Sequence, residues 1–212
     1  MKGLIRNNFY SMESNIKTAF LMSALLIFTP FVINHPRILS VIVSVQIFIF
    51  IANIGTSLHA DEVAKWNIFE LTLPVDPGMV IMAKYVSFSL LIVFGLIISA
   101  FTGIVSSLLS ASADLSSIIA GYEYGLTLSL IVAAIMYPVM LKIGTEKNEL
   151  IILFSAFISV ILMLFIAFIV SLFSGEMAWQ AALVRTISLV VSLLLFLLSY
   201  FVSLKIYKKK EF

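Results

Sequence analysis

Cysteine is absent from this sequence, and charged residues make up only 11% of it, whereas 62% of the 212 residues are hydrophobic. Without cysteine the chain has no disulfide bond and no thiolate ligand for a metal ion. A soluble domain of this size is about one quarter charged, because its surface faces water. The scarcity of charge therefore excludes an ordinary soluble domain and predicts a chain that is solvated largely by lipid.

A nucleotide-binding motif is also absent. The pattern G-x-x-x-x-G-K-[ST], whose backbone amides cradle phosphate groups, occurs nowhere in the chain. We therefore expect no cofactor in this chain. The formal net charge of +2 does not indicate a nucleic-acid partner, because membrane proteins retain Lys and Arg on one side of the bilayer. His59 lies near Asp61 and Glu62, but these ligands are too few to predict a metal site.

Six apolar runs approach or reach the roughly 20 residues that a helix needs to cross a bilayer. The runs are continuous, whereas the strands of a membrane barrel alternate apolar and polar residues, so we predict helices. The predicted fold class is an all-α integral membrane protein with a single domain over residues 1–212. The six predicted spans are residues 18–33, 38–58, 86–109, 125–141, 150–173 and 186–204.

Lysine and arginine are unevenly distributed between the two sides of these spans. If the N-terminus is cytoplasmic, eleven of the 13 basic residues lie inside, and only Arg37 and Arg185 lie outside. Because basic residues resist translocation, this bias predicts that both termini are cytoplasmic.

Residues 1–16 have the pattern of an amphipathic helix. Ile5, Phe9, Met12 and Ile16 fall on one face at 100° per residue. The pattern predicts an interfacial helix that lies on the membrane before the first span. The alternative is a helix of the soluble type that packs on a protein surface.

The longest polar connection, residues 60–84, joins the second and third predicted spans. Four apolar residues in it are spaced as on one helical face: Val63, Trp66, Phe69 and Leu73. Pro74 cannot continue such a helix, and the Asp-Pro-Gly sequence at residues 76–78 is typical of a turn. The residues alone leave two hypotheses open. The helix receives force from a partner protein, or it merely lies on the lipid headgroups.

A local pattern in this connection is informative: Asp61-Glu62, then Trp66, then Leu73-Pro74-Val75, then Ala83-Lys84-Tyr85. With six spans and an amphipathic N-terminal helix, the chain resembles bacterial ABC-2-type transporter permeases, including the small permeases of phenol-soluble-modulin exporters. The topology agrees over the full chain, whereas the sequence pattern covers about 25 residues. One departure concerns residues 76–78, because family members often place a basic residue shortly after the Leu-Pro.

The resemblance implies that residues 60–78 form a cytoplasmic coupling helix and its loop, which dock on a dimeric ABC ATPase. ATP and Mg²⁺ would then be bound by that partner. It also implies a second permease, either a copy of this chain or a related one. The residues expected to contact the ATPase are Asp61, Glu62, Lys65, Trp66, Phe69, Glu70, Leu73, Pro74 and Asp76.

Polar residues inside the spans form two stripes: Gln46, Asn53 and Ser57 in the second span, and Ser188, Ser192, Ser199 and Ser203 in the sixth. Buried polar groups need hydrogen-bond partners or water. Stripes of small residues are typical of close helix packing. The alternative is the lining of a cavity or of a seam between two copies. Amides are not needed for packing, so Gln46 and Asn53 favour a lining, with Ser57, Ser188 and Ser192 as further candidates.

Together with the resemblance, these features predict the transmembrane subunit of an ATP-driven exporter in the bacterial cytoplasmic membrane, which is not itself an enzyme. An amphipathic or lipophilic substrate is expected, because no ring of charges lines the spans as in an ion pathway. The resemblance points to helical peptide toxins. The alternative function is a membrane anchor or scaffold, which recruits a cytoplasmic partner through the same loop but transports nothing.

Overall fold

A computed structural model describes residues 1–29, 35–72, 74–109, 115–174 and 182–209. These residues form eight α-helices joined by short connections, and no strand occurs among them. The helices are α1 (Lys2–Ser11), α2 (Glu13–Ile27), α3 (Pro36–Val63), α4 (Trp66–Thr72), α5 (Pro77–Leu109), α6 (Leu115–Ile143), α7 (Asn148–Ser174) and α8 (Ala182–Lys209). The predicted all-helical fold is confirmed for the described residues.

Five of the described helices, α3 and α5 to α8, are long and apolar enough to span a membrane. The chain is therefore a multi-pass membrane protein. Each of these five helices contains one of the predicted spans. The predicted first span, residues 18–33, overlaps α2, and its last four residues lie outside the described part of the chain. A sixth span therefore stays a prediction.

All five long helices extend beyond the predicted apolar runs, and three of these extensions change the predicted connections. α6 begins at Leu115 rather than at residue 125, α3 continues to Val63 rather than 58, and α5 begins at Pro77 rather than 86. A helix does not end where its apolar character ends, because each added residue contributes a further backbone hydrogen bond. Much of the predicted connection at residues 60–84 is thus helical, and only residues 64–76 separate α3 from α5.

The Asp-Pro-Gly sequence is the start of a helix and not a free turn. The Asp76 Oδ2 atom accepts a hydrogen bond from the Gly78 backbone N–H at 2.8 Å. Pro77 is the first residue of α5, where its missing N–H leaves no helical hydrogen bond unmade. Asp76 therefore caps α5 and fixes the direction in which the chain re-enters the bundle.

The N-terminal helix is shorter than the predicted residues 1–16, because a break at Met12 separates it from the next helix. α1 ends at Ser11, Met12 has φ −116° and ψ 12°, and α2 begins at Glu13. Leu4 and Met12 are buried, and α1 packs against α3 and α5. The helix therefore packs on protein, as one of the two hypotheses stated. Its position in the membrane interface stays a prediction.

The centre of the bundle is α6, which packs against α3, α5, α7 and α8. Its approach to α3 depends on two glycines. A Cβ atom at Gly121 would lie 2.9 Å from the Ser40 carbonyl oxygen, and one at Gly125 would lie 2.9 Å from the Ser44 Cα atom. The Ser44 hydroxyl donates to the Gly121 carbonyl at 2.9 Å. These small residues let the two backbones meet and form the frame that supports the site below.

Candidate functional site

The short helix α4 follows a sharp reversal at the end of α3. Lys65 has φ 52°, in the left-handed region, and its carbonyl accepts the first hydrogen bonds of α4, from Ile68 and Phe69. This reversal separates Val63, which ends α3, from Trp66, which begins α4. The predicted single face from Val63 to Leu73 is therefore wrong for Val63, and Leu73 lies outside the described residues.

One side of this region is exposed and largely apolar. Val63 is 70% exposed, and Ile68 and Phe69 are about half exposed. Lys65, Pro74 and Asp76 are also exposed, and Lys65 and Asp76 add charged groups beside the apolar residues. We call these residues the α4 surface: Val63, Lys65, Ile68, Phe69, Pro74 and Asp76. It includes four of the nine residues predicted to contact an ATPase.

The other side of α4 points into the bundle. Glu70 is buried, and its Oε1 atom accepts a hydrogen bond from the Trp66 indole N–H at 2.7 Å. The Trp66 ring also lies 5.2 Å from the Phe69 ring, between centroids, and so connects the buried and exposed sides of the helix. Below α4 is a cavity of about 60 Å³, lined among others by Glu70, Asp61 and Lys84. That volume is enough for a few water molecules.

An ion pair between Lys84 and Asp61 lies beside this cavity. Both residues are buried, Lys84 in α5 and Asp61 in the last turn of α3. The Lys84 ammonium also donates to the Asn8 Oδ1 atom in α1 at 2.5 Å, and the Asn8 amide donates to the Ser87 hydroxyl at 3.0 Å. A buried charge is tolerated only with such complete pairing. We call Asn8, Asp61, Glu70 and Lys84 the buried cluster.

The buried cluster corrects two sequence-based placements. The sequence places both Asp61 and Lys84 in the polar connection of residues 60–84, with Asp61 on the docking surface. Both instead face each other inside the bundle, because α3 and α5 continue past their apolar runs. Asn8 was not predicted at all. A signal existed, since Leu4, Asn8 and Met12 follow the four-residue spacing of one buried helical face.

Burial raises the pKa of Glu70 above its usual value of 4.5. The attraction of Lys84 and the hydrogen bond from Trp66 act in the opposite direction, while the nearby Asp61 raises the pKa further. The raised pKa means that the Glu70 carboxyl takes up a proton more readily in the folded protein than in water. The contact between α4 and the bundle therefore depends on whether the Glu70 carboxyl is charged.

Glu62 joins the end of α3 to the connection between α6 and α7. Its Oε2 atom accepts hydrogen bonds from the Thr145 N–H at 2.8 Å and from the Thr145 hydroxyl at 2.5 Å. The His59 Nδ1 atom lies 3.2 Å from the same hydroxyl. Gly144 provides the positive φ of 96° that this turn needs. The Glu62 carboxylate is thus hydrogen-bonded within the chain, and it links the end of α3 to the connection between α6 and α7.

The amide stripe of α3 is used inside the subunit. The Gln46 amide donates to the Ser23 carbonyl of α2 at 3.0 Å and accepts from the Thr102 hydroxyl of α5 at 2.9 Å. Asn53 donates to carbonyl groups of its own helix, at 3.0 and 3.3 Å. The Ser57 hydroxyl lies 2.7 Å from that of Ser11 in α1. In this conformation Gln46 and Ser57 connect helices, whereas Asn53 bonds within α3.

The serine stripe of α8 is also buried. Ser188, Ser192, Ser199 and Ser203 all face the bundle, where α8 packs against α6. The Ser199 hydroxyl donates to the Ala134 carbonyl at 2.6 Å. The Tyr85 hydroxyl lies 2.7 Å from Ser199 and 3.0 Å from Ser203. The stripe lets α8 lie close to α6, which is the packing use of small residues.

A family model described as an ABC-2 family transporter protein matches residues 3–208. Neither a curated protein nor a solved structure matches the chain. The matched region runs from α1 almost to the end of α8, so it includes both the α4 surface and the buried cluster.

Proposed function

Because this chain belongs to the ABC-2 family of transporter proteins, we propose that it is the membrane subunit of an ATP-driven exporter in the bacterial cytoplasmic membrane. The family implies a separate ABC ATPase as partner. A dimer of that ATPase would bind ATP and Mg²⁺ and dock on residues 60–78. The chain contributes no P-loop of its own.

The observation that carries this proposal is the pairing of an exposed apolar surface with a buried ionic one on the same short helix. Val63, Ile68 and Phe69 offer a partner exposed apolar side chains. Glu70, on the opposite side of α4, is hydrogen-bonded by Trp66 and lines the same cavity as Asp61 and Lys84. A partner that displaces α4 would therefore displace charged groups inside the bundle.

The buried cluster supplies a route from α4 to three other helices. Asp61 belongs to α3, Lys84 to α5 and Asn8 to α1, and all three are linked through the Lys84 ammonium. We propose that the ATPase binds α4 differently in its ATP-bound and ATP-free states. That difference in binding energy would shift the bundle between inward-open and outward-open arrangements.

The orientation follows from the proposal. With both termini cytoplasmic, α4 and the turn at Thr145 face the ATPase, and the beginnings of α6 and α8 face outward. The distribution of Lys and Arg supports this, with eleven of 13 on the α4 side.

We further propose that the pathway forms between two permeases, either two copies of this chain or one copy with a related chain. Gln46 and Asn53 would line it only in a conformation in which α2 has moved, because Gln46 is bonded to the α2 backbone here. An amphipathic or lipophilic substrate, such as a helical peptide toxin, suits spans whose charges are paired inside the subunit.

The test is ATP turnover by the chain purified with its ATPase and reconstituted in lipid. We expect Phe69→Ser to weaken ATPase binding about tenfold or more, because a half-exposed aromatic anchor is lost. The matched control is Phe173→Ser in α7, which removes a phenylalanine that is 89% exposed at the opposite end of the bundle. The control should bind and hydrolyse as the wild type does.

Two outcomes would contradict the proposal. If Phe69→Ser binds the ATPase and supports turnover as well as Phe173→Ser does, α4 is not the docking site. If the wild-type chain binds the ATPase but substrate never changes the rate of turnover, the chain is an anchor or scaffold rather than a transporter subunit.

A further inference from the structure

A groove of about 440 Å³ lies where α1 meets α2, against the middle of α5. It belongs to neither the α4 surface nor the buried cluster. Met12, the residue between the two helices, is buried and holds them at an angle. The groove therefore follows from the break between α1 and α2. Its volume is within the range of roughly 300–1,000 Å³ that is typical of small-molecule sites.

The floor of this groove is aromatic. The Phe94 ring of α5 lies 6.1 Å from the Phe9 ring of α1 and 6.2 Å from the Phe20 ring of α2, between centroids. Ile16 adds an aliphatic side chain between them. Phe20 and Phe94 keep about one third of their surface exposed. An occupant of this floor must be apolar, because none of these side chains offers a hydrogen bond.

The rim of the groove is charged, with a cationic excess. Arg6 and Lys17 are set against a single acid, Glu13. Glu13 is engaged by Lys17 at 2.7 Å, which leaves Arg6 as the charge in excess. The guanidinium of Arg6 lies over the Tyr10 ring, 5.2 Å from its centroid, and donates to the Tyr10 hydroxyl at 2.7 Å. Tyr10 thus orients a planar group that suits the oxygens of a phosphate.

We propose that this groove binds one anionic phospholipid, with the acyl chain on the aromatic floor and the phosphate at Arg6 and Lys17. The occupant combines an apolar tail with an anionic head because the groove combines an apolar floor with a cationic rim. The protein spans a bilayer, which supplies such molecules at high local concentration. A free phosphate ion lacks the apolar part and would leave the floor uncovered.

A lipid bound in this groove would also affect the arrangement of α1 and α2. Bound there, it contacts both α1 and α2 and so stabilises the angle between them. α1 contributes Asn8 to the buried cluster, so the lipid would hold that residue in register with Lys84. The lipid site can be tested independently of transport, because its occupancy is measured without an ATPase.

Native mass spectrometry of the purified chain in detergent tests the site. The probes are phosphatidylglycerol and phosphatidylcholine with identical acyl chains. We expect one phosphatidylglycerol to bind per chain in clear preference to phosphatidylcholine. We expect the double variant Arg6→Gln, Lys17→Gln to bind it about 30-fold more weakly, since each cation near a lipid headgroup contributes about fivefold or somewhat more.

The matched control is the double variant Lys147→Gln, Lys208→Gln, which removes the same charge from exposed positions elsewhere. It should bind phosphatidylglycerol as the wild type does. A variant that fills the floor, Ile16→Trp, should also lose the lipid while it keeps both cations.

Three results would overturn the proposal. The first is equal binding of the two lipids by the wild-type chain. The second is an equal loss of binding in the rim and control variants, which would indicate a general charge effect. The third is displacement of phosphatidylglycerol by millimolar inorganic phosphate, which would indicate an anion site without a lipid. A chain that binds the lipid as expected but stimulates no ATPase would contradict only the proposed function.

Discussion

An ion pair joins two long helices near each end of the bundle, and the two pairs differ in how completely they are enclosed. At the α4 end, the side chains of Lys84 and Asp61 are 7% and 10% exposed. At the opposite end, those of Arg185 and Glu123 are 13% and 24% exposed. The first pair has Asn8 as a further partner. The second borders a pocket of about 660 Å³, which Arg185 helps to line.

The difference in exposure between the two ion pairs indicates which end of the bundle separates less readily. Two enclosed charges cannot separate without a large desolvation cost, whereas charges beside a larger pocket can be hydrated when they part. We therefore expect the α4 end to move as one unit and the opposite end to open more readily. Four predictions test this comparison, in order of decreasing effect.

The first change is Lys84→Met, which leaves Asp61 buried without its cation. We expect the free energy of unfolding to fall by about 3–5 kcal/mol, the usual cost of an uncompensated buried charge. Denaturant unfolding in detergent micelles measures it. The double variant Lys84→Met, Asp61→Asn should recover much of the loss, because position 61 then carries no uncompensated buried charge. If the single variant is as stable as the wild type, the enclosed pair is not a structural element.

The second change is Arg185→Met at the opposite end. Glu123 keeps access to water there, so we expect a smaller loss of about 1–2 kcal/mol, between the values for surface and buried pairs. The same unfolding experiment gives the answer. If Arg185→Met lowers the free energy of unfolding as much as Lys84→Met does, the two ends of the bundle do not differ in this respect.

The third change is Trp66→Phe, which retains the ring beside Phe69 but removes the N–H donated to Glu70. We expect a loss of about 1 kcal/mol that is confined to α4, because one partner of a buried carboxylate is missing. Hydrogen exchange of the α4 amides should become faster. Thr72→Ala, an exposed change on the same helix, is the control, and equal exchange in both variants would contradict the role of Trp66.

The fourth change is Glu70→Gln, which imitates the protonated carboxyl. Burial raises the pKa of Glu70 above 4.5, so the folded protein binds the proton more tightly than the unfolded chain. Its contribution to wild-type stability is therefore greatest below pH 4.5 and is lost as the pH rises through the raised pKa. At neutral pH the variant should melt about 2–4 °C higher than the wild type, and near pH 4 the two should agree. If the melting temperatures of the variant and the wild type differ by the same amount at every pH, this role of Glu70 is excluded.

Local features of the fold could be predicted from the sequence, because apolar runs and cap residues act over a few positions. Five long helices lie where the apolar runs are, and Pro74 lies just beyond the described end of α4. The bond from Trp66 to Glu70 also spans a single helical turn. Gly121 and Gly125 have the small-residue spacing of a packing site, so their contact with α3 was accessible to the same reasoning.

The buried cluster could not be predicted, because it depends on partners that are distant in the chain. Lys84 meets Asp61 from 23 positions away and Asn8 from 76 positions away. No periodic pattern in the sequence indicates that these residues are paired. In the sequence, Asp61 and Glu70 look like any acids in a polar loop. Only the extension of α3 and α5 past their apolar runs turns Asp61 inward, and the residues that remain exposed are then the real candidates for docking.

The anchoring of α1 also constrains the order of assembly. Asn8 leaves the ribosome early, but the Ser87 hydroxyl that it contacts follows 79 residues later. At about 5–20 residues per second, roughly 4–16 seconds of synthesis separate the two. During that interval α1 can pack on α3, which is made before α5. We expect the part of its apolar face that α5 later covers to contact the bilayer until α5 arrives, so the amphipathic pattern of α1 serves the nascent chain as well as the finished bundle.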